Sequence, residues 1–315
     1  MTLITVGAVQ STPVFLDRDA TVSRLVTSIQ EAAARGAELV VFPEAIVPGY
    51  PDWVWRLPAW ADGPWYERLH DQAVEIPGPT TEVLAAAAAA AGVWVAVGVN
   101  ERVRSGTLYN TLLYLDPSGR VAGRHRKLIP TGGERTVWGW GEAAPPTVVD
   151  TGTARVGGLL CWENLMPLAR AAVYEAGVDL FLAPTWDNSD AWLSTLRHIA
   201  CEGRVFVIGT NTCLHGRDVP RSLPRADEIY SDHDGDWLSR GNTVIVGPDG
   251  TVIAGPLVGE PGMLVATLDL GSLTAARRQF DPVGHYARPD LFPPDSGRGR
   301  EQLESDVVRI PERQA

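Results

Sequence analysis

Cysteine is scarce in this chain: three in 315 residues, at positions 161, 201 and 213. An odd number of thiols makes no disulfide framework and points to a reducing, cytoplasmic setting. Positive charge is short as well. The 27 lysines and arginines face 38 acidic residues, a net charge of −11. That balance argues against nucleic acid, whose binding needs a concentrated basic surface, and against an anionic membrane. The N-terminus, Met1 to Gln10, lacks the basic leader and cleavage site of a signal peptide and reads as a first strand. Nor does the uncharged run Val83 to Val99 require a membrane span. An alanine-rich helix over 84–91, a Gly92 stop and a β-rich strand over 93–99 account for it. His215, Asp232, His233, Asp234 and Asp236 share one segment without fixed ligand spacing, so neither a metal nor a cofactor is expected.

What remains is ordinary globular material, 45% apolar and 21% charged, long enough for one large α/β domain or two small ones. Strand 4–9, helix 19–35 and the apolar run Glu38 to Phe42 read as a βαβ unit, with the helix stopped at Gly36. Residues 47–69 are irregular and aromatic. Helix 80–91 and strand 93–99 form a second unit, and a hairpin from Asn110 to Gly123 turns at Pro117-Ser118-Gly119. Strand 155–160 is followed by helix 165–176, strand 178–183, helix 190–203 and strand 205–210. After a polar, acidic loop over 214–240, the hairpin from Asn242 to Gly255 repeats the earlier one, one residue shorter. That repeat predicts two similar halves, each closed by a hairpin and packed as a layered sandwich. Beyond residue 292 the composition turns polar, and 293–315 reads as a loose tail.

Three apolar runs end on a chemical group: Glu44 after Val40-Val41-Phe42-Pro43, Lys127 after the first hairpin, and Cys161 after Gly157-Gly158-Leu159-Leu160. Parallel strands would bring their ends to one sheet edge, where open α/β sheets place their sites. A carboxylate, an ammonium and a thiol there make a base, an electrophilic clamp and a nucleophile. Free Cys and Glu, with pKa values of about 8.5 and 4.3, are roughly 6 kcal/mol apart for proton transfer. Burial would raise the carboxylate, while Lys127 and a helix start would lower the thiol, bringing the two close enough to exchange a proton.

These three residues, each ending such a run, resemble the catalytic triad of the nitrilase superfamily, and the likeness spans about residues 3–292. Pro48-Gly49-Tyr50-Pro51-Asp52-Trp53, Glu134 to Gly139, Cys161-Trp162-Glu163-Asn164, Arg197 to Arg204 and Gly284 to Asp290 are similar to true nitrilases rather than to the amidase and carbamoylase branches. The resemblance implies a four-layer αββα sandwich over a single carbon–nitrogen hydrolase domain, 1–292. It implies hydrolysis of a nitrile to acid and ammonia through Cys161, without metal, and a homo-oligomer of two or more chains. The alternative is amide hydrolysis, or nitrile hydration that stops at the amide. Glu134 would support Lys127. Tyr50, Trp53, Trp162 and Trp186 are the candidates to touch substrate, although the aromatic 50–66 segment could equally face a partner subunit.

Overall fold

In the computed structural model, residues 2–142, 144–233 and 235–291 are described; the expected tail, 293–315, lies outside them. The first half runs β1 (Leu3–Gln10), α1 (Arg18–Ala34), β2 (Leu39–Val41), α2 (Gly63–Gln72), α3 (Pro79–Ala91), β3 (Trp94–Arg102), β4 (Leu108–Leu115) and β5 (Val121–Arg126). The second runs β6 (Val148–Asp150), β7 (Arg155–Gly158), α4 (Pro167–Glu175), β8 (Leu180–Leu182), α5 (Asp190–Gly203), β9 (Phe206–Gly209), β10 (Cys213–His215), α6 (Ala226–Tyr230), β11 (Trp237–Val246) and β12 (Val252–Val258). The chain then returns through β13 (Gly262–Asp269) and α7 (Ser272–Gln279).

Local chemistry sets these elements. Asp17 caps α1 by accepting the Ala20 N–H at 3.0 Å, and Val22, Leu25, Ile29 and Ala32 form its buried stripe. Pro79 opens α3, and Gly92 closes it with φ 67°. The two hairpin turns place Gly119 and Gly250 at φ 80° and 82°, a region that favours glycine.

The strands make two sheets. One has the order β13-β1-β2-β3-β4-β5, the other β10-β11-β9-β8-β7-β6 with β12 beside β11. In each, three strands run parallel: Val6 pairs with Leu39 and Leu39 with Trp94, while Val156 pairs with Leu180 and Leu180 with Phe206. Alternation divides the side chains between faces. In β2, Val40 packs outward with Leu25, Ile29 and Leu84, whereas Leu39 and Val41 face Leu180, Leu182 and Ile208 of the other sheet. On the far side, Phe181 and Val207 pack with Val173, Leu196 and Ile199. Helices, sheet, sheet and helices thus form an αββα sandwich whose central layer draws on both halves.

Two stretches differ from expectation. The aromatic 47–69 segment contains a 3₁₀ turn at Asp52–Trp55 and most of α2, and the acidic 214–240 segment contains most of β10, α6 and the start of β11. The helix expected at 165–176 is present as α4 but begins two residues later, after a 3₁₀ turn over Cys161–Leu165.

Candidate active site

β2 and β7 point their carboxyl ends toward the same place, and two glycines make that possible. A Cβ at Gly158 would run into the Leu182 carbonyl, and one at Gly98 into Pro43 O and Ala45 N. The chain therefore comes very close to its neighbours just before Cys161 and beneath Glu44. Cys161 itself has φ 48°, a left-handed conformation that a non-glycine residue holds only under constraint. Its N–H donates to Pro184 O at 2.9 Å, and Asn164 Nδ2 donates to Cys161 O at 2.8 Å.

Around the thiol the charged groups are buried and paired. Lys127 Nζ donates to Glu44 Oε1 and to Glu134 Oε2, both at 2.8 Å, with all three side chains essentially sealed from solvent. Glu44 also accepts Asn110 Nδ2 at 2.7 Å and the Trp186 N–H at 2.8 Å. Glu134 is held by Tyr50 Oη, which donates at 2.6 Å, and by the Thr131 N–H, also at 2.6 Å. Trp55 Nε1 in turn donates to Tyr50 Oη at 3.1 Å. Each carboxylate thus has at least three donors, which is what a buried charge requires.

Burial pushes the Glu44 carboxyl above its ordinary range, against the pull of Lys127. Burial also works against the Lys127 ammonium, but Glu44, Cys161 and Glu134 outweigh it and hold the lysine charged. For Cys161 burial and Glu44 raise the thiol, and Lys127 and the Thr185 hydrogen bond do not offset them. This corrects the sequence expectation of a lowered thiol. The α-helix that would have stabilised a thiolate begins only at Pro167, and the sulfur is buried among carboxylates. The resting group is a protonated thiol beside a raised carboxylate.

Above the thiol lies a cavity of about 480 Å³ lined by Tyr50, Trp55, Thr131, Glu134, Cys161, Trp162, Trp186, Asp187, Asn188 and Ser189, a size suited to a small organic molecule. Tyr50 and Trp186 stack at 4.6 Å with planes 6° apart, and Trp162 Nε1 donates to Asp187 Oδ2 at 2.9 Å. A larger groove of about 660 Å³ along α1 and α3 carries no thiol.

Of the residues singled out from sequence, Glu44, Lys127, Glu134 and Cys161 meet in this cluster, and Tyr50, Trp162 and Trp186 reach the cavity. Trp53 does not. It is fully buried beside Phe15 and Trp65, with Nε1 donating to Asp62, and Trp55, two residues on, takes the wall position instead. Alternation of packing inside the 3₁₀ turn decides this, and no local pattern marks which of two tryptophans turns inward. Asn110 and Thr185 were also missed. A polar residue inside the apolar strand Leu108–Leu115 was the available signal for Asn110. Among the described residues no group of three or more His, Cys, Asp or Glu is arranged to hold a metal, and no helix is long and apolar enough to cross a membrane.

Comparison with known proteins fits this geometry. A family model described as carbon–nitrogen hydrolase matches residues 5–278. The chain is 43% identical over 297 residues to an aliphatic nitrilase of Sinorhizobium fredii, covering 93% of this chain and 95% of the relative. It is 40% identical over 296 residues to a bifunctional nitrilase/nitrile hydratase of Nicotiana tabacum, covering 90% and 83%. Among solved structures, a carbon–nitrogen hydrolase from Helicobacter pylori superposes with a TM-score of 0.74 at 20% identity, over 94% of this chain and 99% of that one.

Proposed function

The chain belongs to the carbon–nitrogen hydrolase family, and on that premise we propose that it is a nitrilase that converts an organic nitrile and two waters to the carboxylic acid and ammonia. One observation carries the reading: Lys127 Nζ bridges Glu44 and Glu134 at 2.8 Å each at the base of the aromatic cavity whose floor includes the Cys161 thiol.

In the proposed course, Glu44 takes the Cys161 proton as sulfur adds to the nitrile carbon. Lys127, together with the Trp162 N–H in the first turn after the cysteine, stabilises charge on the nitrogen. Proton transfer to that nitrogen gives a thioimidate. Water, losing a proton to Glu44, adds to it, and the tetrahedral species expels ammonia to leave a thioester. A second water releases the acid and restores the thiol. Glu134 and Tyr50 keep the lysine in register. The raised thiol supports this order of events, because Cys161 then needs a base in contact at the moment of attack. If the tetrahedral species expels sulfur instead, the product is the amide.

The same reading takes residues up to 292 as one domain, since both halves share the central core. It sets the enzyme in the reducing cytoplasm, in keeping with the free thiols Cys161, Cys201 and Cys213. A homo-oligomer belongs to it too; Leu165 and Leu168, 50% and 80% exposed beside the nucleophile, are apolar surface that a second copy would cover. Light scattering after size exclusion tests the oligomer, and a monomer removes it.

The function is tested with a panel of aliphatic, aromatic and arylacetic nitriles, cyanide and the matching amides, measuring ammonia, acid and amide. The expected result is acid and ammonia from nitriles, with a Cys161 acyl adduct by mass spectrometry. Amide turnover with no reaction on any nitrile overturns the nitrile assignment in favour of an amidase.

A further inference from the structure

Glu163 follows the nucleophile by two residues and takes no part in the course above. As the third residue of the turn Cys161–Leu165, its carboxylate folds back on the turn's own start, where Oε2 accepts the Leu160 N–H at 2.7 Å. Such a cap normally faces water. Here the side chain is fully sealed, and the other oxygen crosses into the first half of the molecule. Oε1 accepts the Leu128 N–H at 2.6 Å, and His125 Nε2 lies 3.1 Å from both oxygens. The donors are not scattered. Leu160 immediately precedes Cys161, and His125 and Leu128 bracket Lys127. A carboxylate spent only on capping a turn would not need sealing between the sheets, where each missing donor costs dearly.

We propose that Glu163 is a positioning residue that yokes the lysine-bearing exit of β5 to the cysteine-bearing exit of β7, fixing where Lys127 stands relative to the thiol. The two exits come from different halves and share no hydrogen-bonded strand pair: β5 pairs with β4, and β7 with β6 and β8. A single side chain that grips the backbone on both sides removes that freedom, and small misplacements of reacting groups are expensive in rate.

This inference rests on the nitrilase reading, so its test has one arm that needs no turnover. Glu163→Gln keeps the shape but turns one acceptor into a donor facing an N–H. Glu163→Asp can still reach Leu160 within its own turn but is too short to hold Leu128 and His125. Both are compared with the natural protein for kcat, KM, thermal midpoint and the pH profile of Cys161 alkylation by iodoacetamide. The expected result is a kcat lower by about 10- to 100-fold with KM within about twofold, and an alkylation profile moved to higher pH as Lys127 leaves the sulfur. The cavity walls are untouched, so KM has no reason to follow kcat. A lower thermal midpoint with unchanged kcat and unchanged alkylation profile makes Glu163 a merely stabilising group and overturns the proposal, as does failure of both variants to fold. A natural protein that turns over neither nitrile nor amide defeats the parent reading instead, and the alkylation arm still decides the role of Glu163.

Discussion

The two halves of the sandwich use one layout and fill it with different chemistry. Val6 pairs with Leu39 in the first half as Val156 pairs with Leu180 in the second. Counting five residues on from Val6 and Val156 puts Ser11 where the second half has Cys161. Likewise Val41 pairs with Ala96 as Leu182 pairs with Ile208, and three residues on from these, Glu44 occupies the place of Thr185. Each is preceded by a proline, Pro43 or Pro184. The first half thus contributes ions: Glu44, Lys127 and Glu134. The second contributes the thiol and mostly backbone, with Pro184 O accepting from Cys161 and the Trp186 N–H donating to Glu44. A strand exit is therefore only a place. Which exit reacts depends on what faces it across the gap between sheets.

Moving the thiol puts the largest demand on that contrast. In the double variant Ser11→Cys with Cys161→Ser, the sulfur sits at the matching exit of the first half, just past β1 at a position bridged to Thr212 rather than facing Lys127. Nitrile turnover is expected to fall by more than about 10⁴-fold, the scale seen when a nucleophile is removed. Product analysis that finds more than a tenth of the natural rate would mean the two exits are interchangeable and the comparison empty.

Glu44→Gln separates the base from the electrostatics around it. Turnover is expected to drop by about 10²- to 10⁴-fold. Alkylation of Cys161 at neutral pH should nevertheless become faster, because after burial the Glu44 charge is the chief cause of the raised thiol. In the natural enzyme the proposed base is expected to set the acid limb of kcat/KM. Its folded pKa is raised, so as pH falls the base is protonated, and lost, at a pH above the ordinary carboxylate value of 4.5. Lys127 is held charged above its ordinary 10.5, and so contributes no loss of activity on the alkaline side below that pH. A pH–rate profile with its acid limb at or under 4.5 would remove Glu44 from the role of base.

The close approaches under the two exits come next. Gly98→Ala and Gly158→Ala each force a methyl into backbone atoms rather than into a movable side chain. Each should cost about 1–3 kcal/mol, typical of overpacking a filled interior, read as a lower thermal midpoint. If the exits are truly equivalent, the two losses will be of similar size. A clear loss at Gly158 alone would show that only the cysteine exit is tightly held.

How far such features could be foreseen depends on whether their cause is local. The stripe Val22, Leu25, Ile29 and Ala32 announces itself through periodicity and β2 through its continuous apolar run, and the repeated hairpins reveal the two halves. Glu44 and Cys161 were recognisable because each ends an apolar run, and Lys127 because the first of the two repeated hairpins leads into it. The helix α2 was hidden because Gly63-Pro64 and the surrounding tryptophans mask its periodicity. Trp53 and Trp55 differ only in which side of a short turn they occupy. The state of the thiol and the cross-sheet grip of Glu163 are set by groups dozens of residues away, and no window along the chain contains them.

The hairpin turns offer the mildest comparison, since both halves close with a short turn carrying one aspartate. In the first half Asp116 is buried and accepts the N–H groups of Ser118 and Arg120, the Ser118 hydroxyl and the Arg120 side chain. Although burial opposes ionisation, these bonds draw its pKa down to about 2. In the second half Asp249 is exposed and bonds only to Thr251. Asp116→Ala should therefore cost about 0.5–1.5 kcal/mol, the usual worth of such bonds, and Asp249→Ala less. The sign with pH follows from the lowered folded value. The Asp116 contribution is complete above the unfolded pKa of about 3.9 and fades as pH falls toward the folded one. Denaturant melts of both variants at neutral pH and near pH 3 decide it: equal losses for the two aspartates, or a loss at Asp116 that grows in acid, would show that the turns are not distinguished by burial as their hydrogen bonds indicate.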